Sequence, residues 1–119
     1  MIPILRVAGH LLISVQTELG DDVVGLFQDA VLRTIERDGH ATDGLIIDIT
    51  ALEVVDTFVG RVLADTAAMA KLMGRETVLV GMRPEVAATL VQMGFLLPGI
   101  LTALDIDHGI AVLDERRSR

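Results

Sequence analysis

Leu45-Ile46-Ile47-Asp48-Ile49-Thr50, followed after a short connection by Val54-Val55-Asp56-Thr57-Phe58-Val59-Gly60-Arg61, carries most of the architectural information in this chain. The first run is almost wholly apolar and β-branched, the pattern of a strand covered on both faces by helices. The second sets an acidic residue before a hydroxyl at what reads as the first turn of a helix, beginning near Asp56 or Thr57 and ending before Gly74. Phe58, Val62, Leu63, Ala67, Ala70 and Leu72 give that helix its packing residues, and Ala67-Ala68-Met69-Ala70 allows close approach to a neighbour. Thr57 therefore falls on a rim rather than in a core.

Working outward, Ile2 to Val7 and His10 to Val15 are short β-rich runs on either side of Ala8-Gly9, which predicts a hairpin. After a connection at Thr17 to Gly20, Asp21-Asp22 can cap a helix whose Val23, Leu26, Phe27, Ala30, Val31 and Ile35 recur at helical spacing, with Gly39 ending it. Thr77 to Val80 reads as a fourth strand and Gly81 as a turn. Arg83-Pro84-Glu85 opens a helix with Pro84 at its first position; Val86, Ala87, Leu90 and Val91 form its apolar face, and Gly94 stops it. A fifth strand near Ile100 to Ala103 precedes a last helix from about Asp107 to Glu115, interrupted by Gly109.

The order ββαβαβαβα predicts an α/β fold: a mixed, mostly parallel sheet with an N-terminal hairpin and right-handed crossovers. Residues 1–115 are expected to form one domain, with 116–119 as a basic, solvated tail. The carboxyl ends of the parallel strands should share one edge, with the loops Thr50 to Thr57 and Gly81 to Pro84 side by side, and a functional site belongs there.

Composition narrows the function. A chain of 119 residues suits one core. Although 51% of residues are apolar and mean hydropathy is +0.56, no run approaches the ~18 apolar residues of a membrane span. No secretory signal pattern opens the chain, so the cytoplasm is the expected location. A net charge of -7 disfavours nucleic acid, whose binding depends on neutralising phosphates. Cysteine, tyrosine and tryptophan are absent, which removes thiolate chemistry and most base-stacking equipment.

Individual residues leave few routes to catalysis. Asp48, within an apolar strand, reads as a structural, hydrogen-bonded carboxylate. His10, His40 and His108 lack metal-ligand spacing and read as surface or turn residues. The glycines form neither a dinucleotide fingerprint nor a P-loop, and no serine stands in a nucleophile elbow. Met69, Met73, Met82 and Met93 read as core fillers. No enzyme activity, cofactor or metal is expected; a small α/β enzyme using Asp48 or Asp56 lacks a matched base, nucleophile or metal. Asp56-Thr57 has two readings. Asp56 caps the helix, worth about 0.5 to 2 kcal/mol with no function required, or Thr57 accepts a phosphate whose charge meets the positive helix end while repelling Asp56.

The hairpin start Ile2-Pro3-Ile4-Leu5, the strand-loop-helix from Leu45 to Phe58, and Lys71-Leu72-Met73-Gly74 followed by Val78-Leu79-Val80-Gly81-Met82-Arg83-Pro84-Glu85-Val86-Ala87 together resemble the STAS domain, the anti-sigma-factor-antagonist fold. Within it they are most similar to the small scaffold subunits of the stressosome. The resemblance implies a non-enzymatic regulator that assembles with STAS-bearing sensor subunits and sequesters a GHKL-type serine/threonine switch kinase. It implies Thr57 as phosphoacceptor and Asp56, Phe58, Val59, Gly60 and Arg61 as the partner-binding segment. It further implies that Asp48, Gly81 and Pro84 shape the loops and that a PP2C-type phosphatase is a partner in the same pathway. The scaffold type usually carries serine where Thr57 stands, threonine being more typical of the longer sensor subunits; both offer a hydroxyl. At this length the scaffold type is expected, without room for an N-terminal sensory domain. The alternative is a simple antagonist that binds an anti-sigma factor one to one.

Overall fold

The computed structural model describes residues 2–15, 21–39, 41–92, 94 and 99–117. The Thr17 to Gly20 connection, His40 and Met93 lie outside them. Five strands form one sheet in the order β1-β2-β3-β4-β5: β1 Ile4–Val7, β2 His10–Ser14, β3 Gly44–Asp48, β4 Glu76–Val80 and β5 Leu101–Ala103. Four helices alternate with them, α1 Asp21–Asp38, α2 Thr57–Leu72, α3 Pro84–Gln92 and α4 Ile106–Arg117. The expected order ββαβαβαβα is the observed one.

The hairpin closes through Ala8 and Gly9, both at positive φ, with Val7 opposite His10. Two consecutive left-handed residues match the right-handed twist of the strands they join. From β2 onward every neighbouring pair is parallel. Each crossover advances the sheet by one strand in the same direction, so crossovers of one hand stack α1, α2 and α3 on a single face. Strand alternation then sorts the core. Leu11, Ile13, Val15, Leu45, Ile47, Ile49 and Leu79 face those helices with Phe27, Val31, Ile35, Leu63 and Leu90, while Leu12, Ile46, Val78 and Val80 face α4 with Leu113. Leu45, Ile46 and Ile47 are all fully buried, as a strand covered on both faces must be.

Several packing expectations change in three dimensions. Gly109 does not interrupt α4. A Cβ there would lie 2.8 Å from Val80 Cγ1, so its bareness lets the helix settle on β4. The helix also continues to Arg117, so the boundary expected after residue 115 falls inside it. Arg117 pairs with Asp43, and Arg116 lies 4.0 Å from Glu76. Leu26 and Leu72 are exposed, Leu72 by 90%. Thr66 takes an interior place on α2 because its hydroxyl donates to Val62 O at 2.7 Å and accepts from Gln28 of α1 at 3.1 Å. Met69 and Met73 are likewise exposed rather than core, the buried stripe of α2 running through Val59, Gly60, Leu63, Thr66, Ala67 and Ala70.

Candidate functional site

Strand β3 ends at Asp48, on the edge where the parallel strands deliver their carboxyl ends. The Asp48 carboxylate accepts from Thr50 N at 2.9 Å and from the Thr50 hydroxyl at 2.6 Å. This local bond turns the chain out of the sheet. Gly81 stands opposite in the β4–α3 loop at φ +75, and a Cβ on it would overlap the Thr50 hydroxyl. Arg83 completes the junction by donating from Nε to Thr50 O at 2.9 Å. The two loops expected side by side are thus joined, and Pro84 begins α3 directly after the joining arginine, whose carbonyl accepts from Val86 and Ala87. Thr50 and Arg83 were not singled out as site residues, since only the pairing of β3 with β4 brings them together.

The rest of the β3–α2 loop is pinned by apolar burial. Leu52 and Val55 are buried, while Val54 between them is 69% exposed. Asp56 adopts an extended backbone conformation and accepts from Val59 N at 2.8 Å, with Gly60 N donating to its carbonyl at 3.0 Å. It is the N-cap of α2. Thr57, at the first helical position, is exposed, as are Phe58 and Arg61.

The helical turn separates the expected partner-binding segment into two sets. Asp56, Phe58 and Arg61 face outward with Thr57. Val59 and Gly60 turn into the core, Val59 being 5% exposed, and there they seat the helix. Phe58, 44% exposed, stays outside because the buried stripe runs through Val59, Leu63, Thr66, Ala67 and Ala70.

Beside this rim lies an open depression of about 470 Å³ lined by Asp48, Thr50, Val80, Leu104, Asp105, Ile106 and Asp107. Its three aspartates make it anionic. Asp105 is already engaged, accepting from His108 N at 2.8 Å, while His108 Nδ1 accepts from Leu104 N at 3.2 Å. Among the described residues no cluster of histidine, cysteine and carboxylate has the makings of a metal site, and no helix is long and apolar enough to cross a membrane.

The opposite edge is built differently. His10, expected at the surface, is buried to 1% exposure and its Nε2 lies 2.8 Å from Asp114 Oδ1. Being the first residue of β2 puts it beneath α4, a placement invisible in its sequence neighbours. Arg6 grips Asp38 through two bonds of 3.1 and 2.7 Å. Those bonds hold the Asp38 carboxyl below the usual carboxylate range and raise the Arg6 guanidinium.

Comparison with known proteins agrees with the fold. The STAS domain profile matches residues 2–105. The structure is similar to that of a serine-to-glutamate variant of RsbS from Moorella thermoacetica, with a TM-score of 0.84 and 41% identity over 99% of this chain and 98% of that one. It is also similar to a chain of the stressosome, described as a signal integration and transduction hub, with a TM-score of 0.78 and 38% identity over 98% of this chain and 100% of that one. In sequence, 80 residues are 34% identical to the RsbT co-antagonist protein RsbRA of Bacillus subtilis, covering 67% of this chain but only 29% of that protein. The chain thus spans under a third of the length of that relative. With the profile covering all five strands and helices α1 to α3, the chain belongs to the STAS domain family.

Proposed function

We propose that this chain is a non-enzymatic scaffold and antagonist of the stressosome type. Unmodified, it holds a GHKL-type serine/threonine switch kinase; phosphorylation of Thr57 releases that kinase and so switches a stress-response cascade, and a PP2C-type phosphatase resets the site. It co-assembles with STAS-bearing sensor subunits like RsbRA. The observation that carries this reading is the likeness to RsbS along almost the full length of both chains. The exposed hydroxyl at the start of α2 supports the choice of Thr57.

The chemistry required of the chain is small. The kinase transfers the γ-phosphoryl group of ATP to Thr57 Oγ1. The new O–P bond forms as the bond from Pγ to its bridging oxygen breaks, ADP leaves, and the hydroxyl proton passes to a base of the kinase. The added charge of about -1.5 to -2 lands beside Asp56 and next to the exposed apolar Val54 and Phe58. A surface that can bury against a partner becomes one whose desolvation is costly. Asp48, Gly81 and Pro84 serve by holding the loops that present this surface.

Incubation with the kinase and ATP followed by mass spectrometry tests the acceptor. Thr57→Ala should keep the kinase bound when ATP is added, and Thr57→Asp should weaken binding without it. An unmodified Thr57 together with unchanged binding in both variants would remove the mechanism. Sizing with sensor subunits separates the assemblies: a megadalton particle supports the scaffold, whereas a small heterodimer with the kinase supports a one-to-one anti-sigma-factor antagonist.

A further inference from the structure

We infer that Arg61 is the residue through which phosphorylation acts, a docking cation in the unmodified protein that a phosphate on Thr57 captures. The inference rests on reading Thr57 as the phosphoacceptor. It begins from an accounting of the cations. Arg6, Arg33, Lys71, Arg116 and Arg117 have carboxylate partners, and Arg37, Arg75 and Arg83 donate to a hydroxyl or a carbonyl. Among the described residues Arg61 alone of the lysines and arginines has neither an ion pair nor a hydrogen bond. In a chain of net charge -7, a cation left unspent is unusual, and this one stands four residues after Thr57 on the exposed side of the same helix.

That spacing brings side chains together: residues at i and i+4 of a helix have Cβ atoms about 5–6 Å apart. A phosphate on Thr57 lies toward the helix N-terminus from Arg61, the favoured order for an acid and a base on one helix face. Asp65 is the competing acid, four residues beyond Arg61. It has the unfavourable order and a single charge, and no ion pair joins it to Arg61. A dianion in the better position prevails, with guanidinium and phosphate matched for paired hydrogen bonds. Asp56 is not the captor in the unmodified protein: its carboxylate caps the helix by accepting from Val59 N, and it stands five residues before Arg61, outside the i, i+4 spacing.

Two effects then coincide on phosphorylation. The docking surface acquires a dianion, and it loses the cation that a carboxylate on the kinase would meet. Release follows from both, which makes the switch steeper than added charge alone.

Phosphothreonine installed at position 57 by genetic code expansion allows a test that needs no kinase. Phosphorus NMR across a pH titration should give the phosphate a second pKa clearly below its ordinary ~6, and Arg61→Gln should raise it. The difference should shrink in ~1 M salt, where the screening length is ~3 Å. Equal titration in the parent and Arg61→Gln proteins overturns the capture. Unphosphorylated Arg61→Gln should bind the kinase about tenfold more weakly, with partial rescue by Arg61→Lys; binding equal to the parent overturns the docking role. If the kinase never modifies Thr57, the function proposed above fails while the phosphorus measurement still stands.

Discussion

The two edges of the sheet handle charge in opposite ways. At the edge where the parallel strands begin, charge meets opposite charge: Arg6 with Asp38, Arg117 with Asp43, and Lys71 and Arg116 with Glu76. At the edge where they end, carboxylates meet amides: Asp48 with Thr50 N, Asp56 with Val59 N, Asp105 with His108 N. The alternation of strand and helix is the cause. It sets helix C-termini, which favour cations, at the first edge, and helix N-termini, which favour anions, at the second. One edge is thereby neutralised internally and the other keeps Arg61, Thr57, Phe58 and Val54 on its surface.

The sharpest way to break this contrast is Gly81→Ala. The added Cβ meets Thr50 and forces an L-residue to φ +75, a combined cost of about 3 kcal/mol. Urea unfolding should show it, with kinase binding impaired in the fraction that still folds because the loop before Thr57 shifts. Gly44→Ala is its counterpart at the other edge. Its Cβ meets Leu113 Cδ1 at 2.8 Å and His10 Nδ1 at 3.0 Å without backbone strain, and Leu113 can yield. A loss of about 1–2 kcal/mol is expected, with no effect on kinase binding once folded. An impaired partner interaction in Gly44→Ala would show that the edges are not independent.

Asp56→Ala should cost about 1 kcal/mol by removing the cap of α2, with Asp56→Ser recovering most of it in the same unfolding assay. Asp38→Asn should have the smallest effect and a distinctive pH profile. The folded carboxyl ionises below its unfolded value of ~3.9, so its contribution is present above that pH and fades as pH falls through the lower folded value. Parent and variant stabilities should therefore differ at neutral pH and converge in acid; a constant gap would mean that the Arg6 bonds do not act through Asp38 ionisation. Because Arg6 is exposed, the difference should also weaken in salt.

Much of this was readable along the chain. The hairpin at Ala8-Gly9, the helix starts at Asp56 and Pro84 and the β-branched run ending in Asp48 announce themselves through neighbours a few residues away, and each element was found close to its expected bounds. Inward-facing Val59 and Gly60 were harder, since residues two and three places from Thr57 share its sequence context but not its side of the helix. Leu72 was expected to pack and Met69 to fill the core, yet both are exposed and the buried stripe of α2 lies on another side of the helix. His10 and Gly109 were misjudged because their roles depend on α4, remote from His10 in sequence, and on the strand Gly109 meets.

Local chemistry by itself determined the order of elements, the cap at Asp56 and the presence of a hydroxyl at a helix start, because capping, turn conformation and periodicity are set within a few residues. The tertiary structure decided which loops touch, which glycines must stay bare and which charges are already spent. Those depend on parallel strand pairing, which brings Asp48 beside Val80 and Arg83 onto Thr50, and no short-range signal encodes which distant cation will find a carboxylate and which, like Arg61, will not.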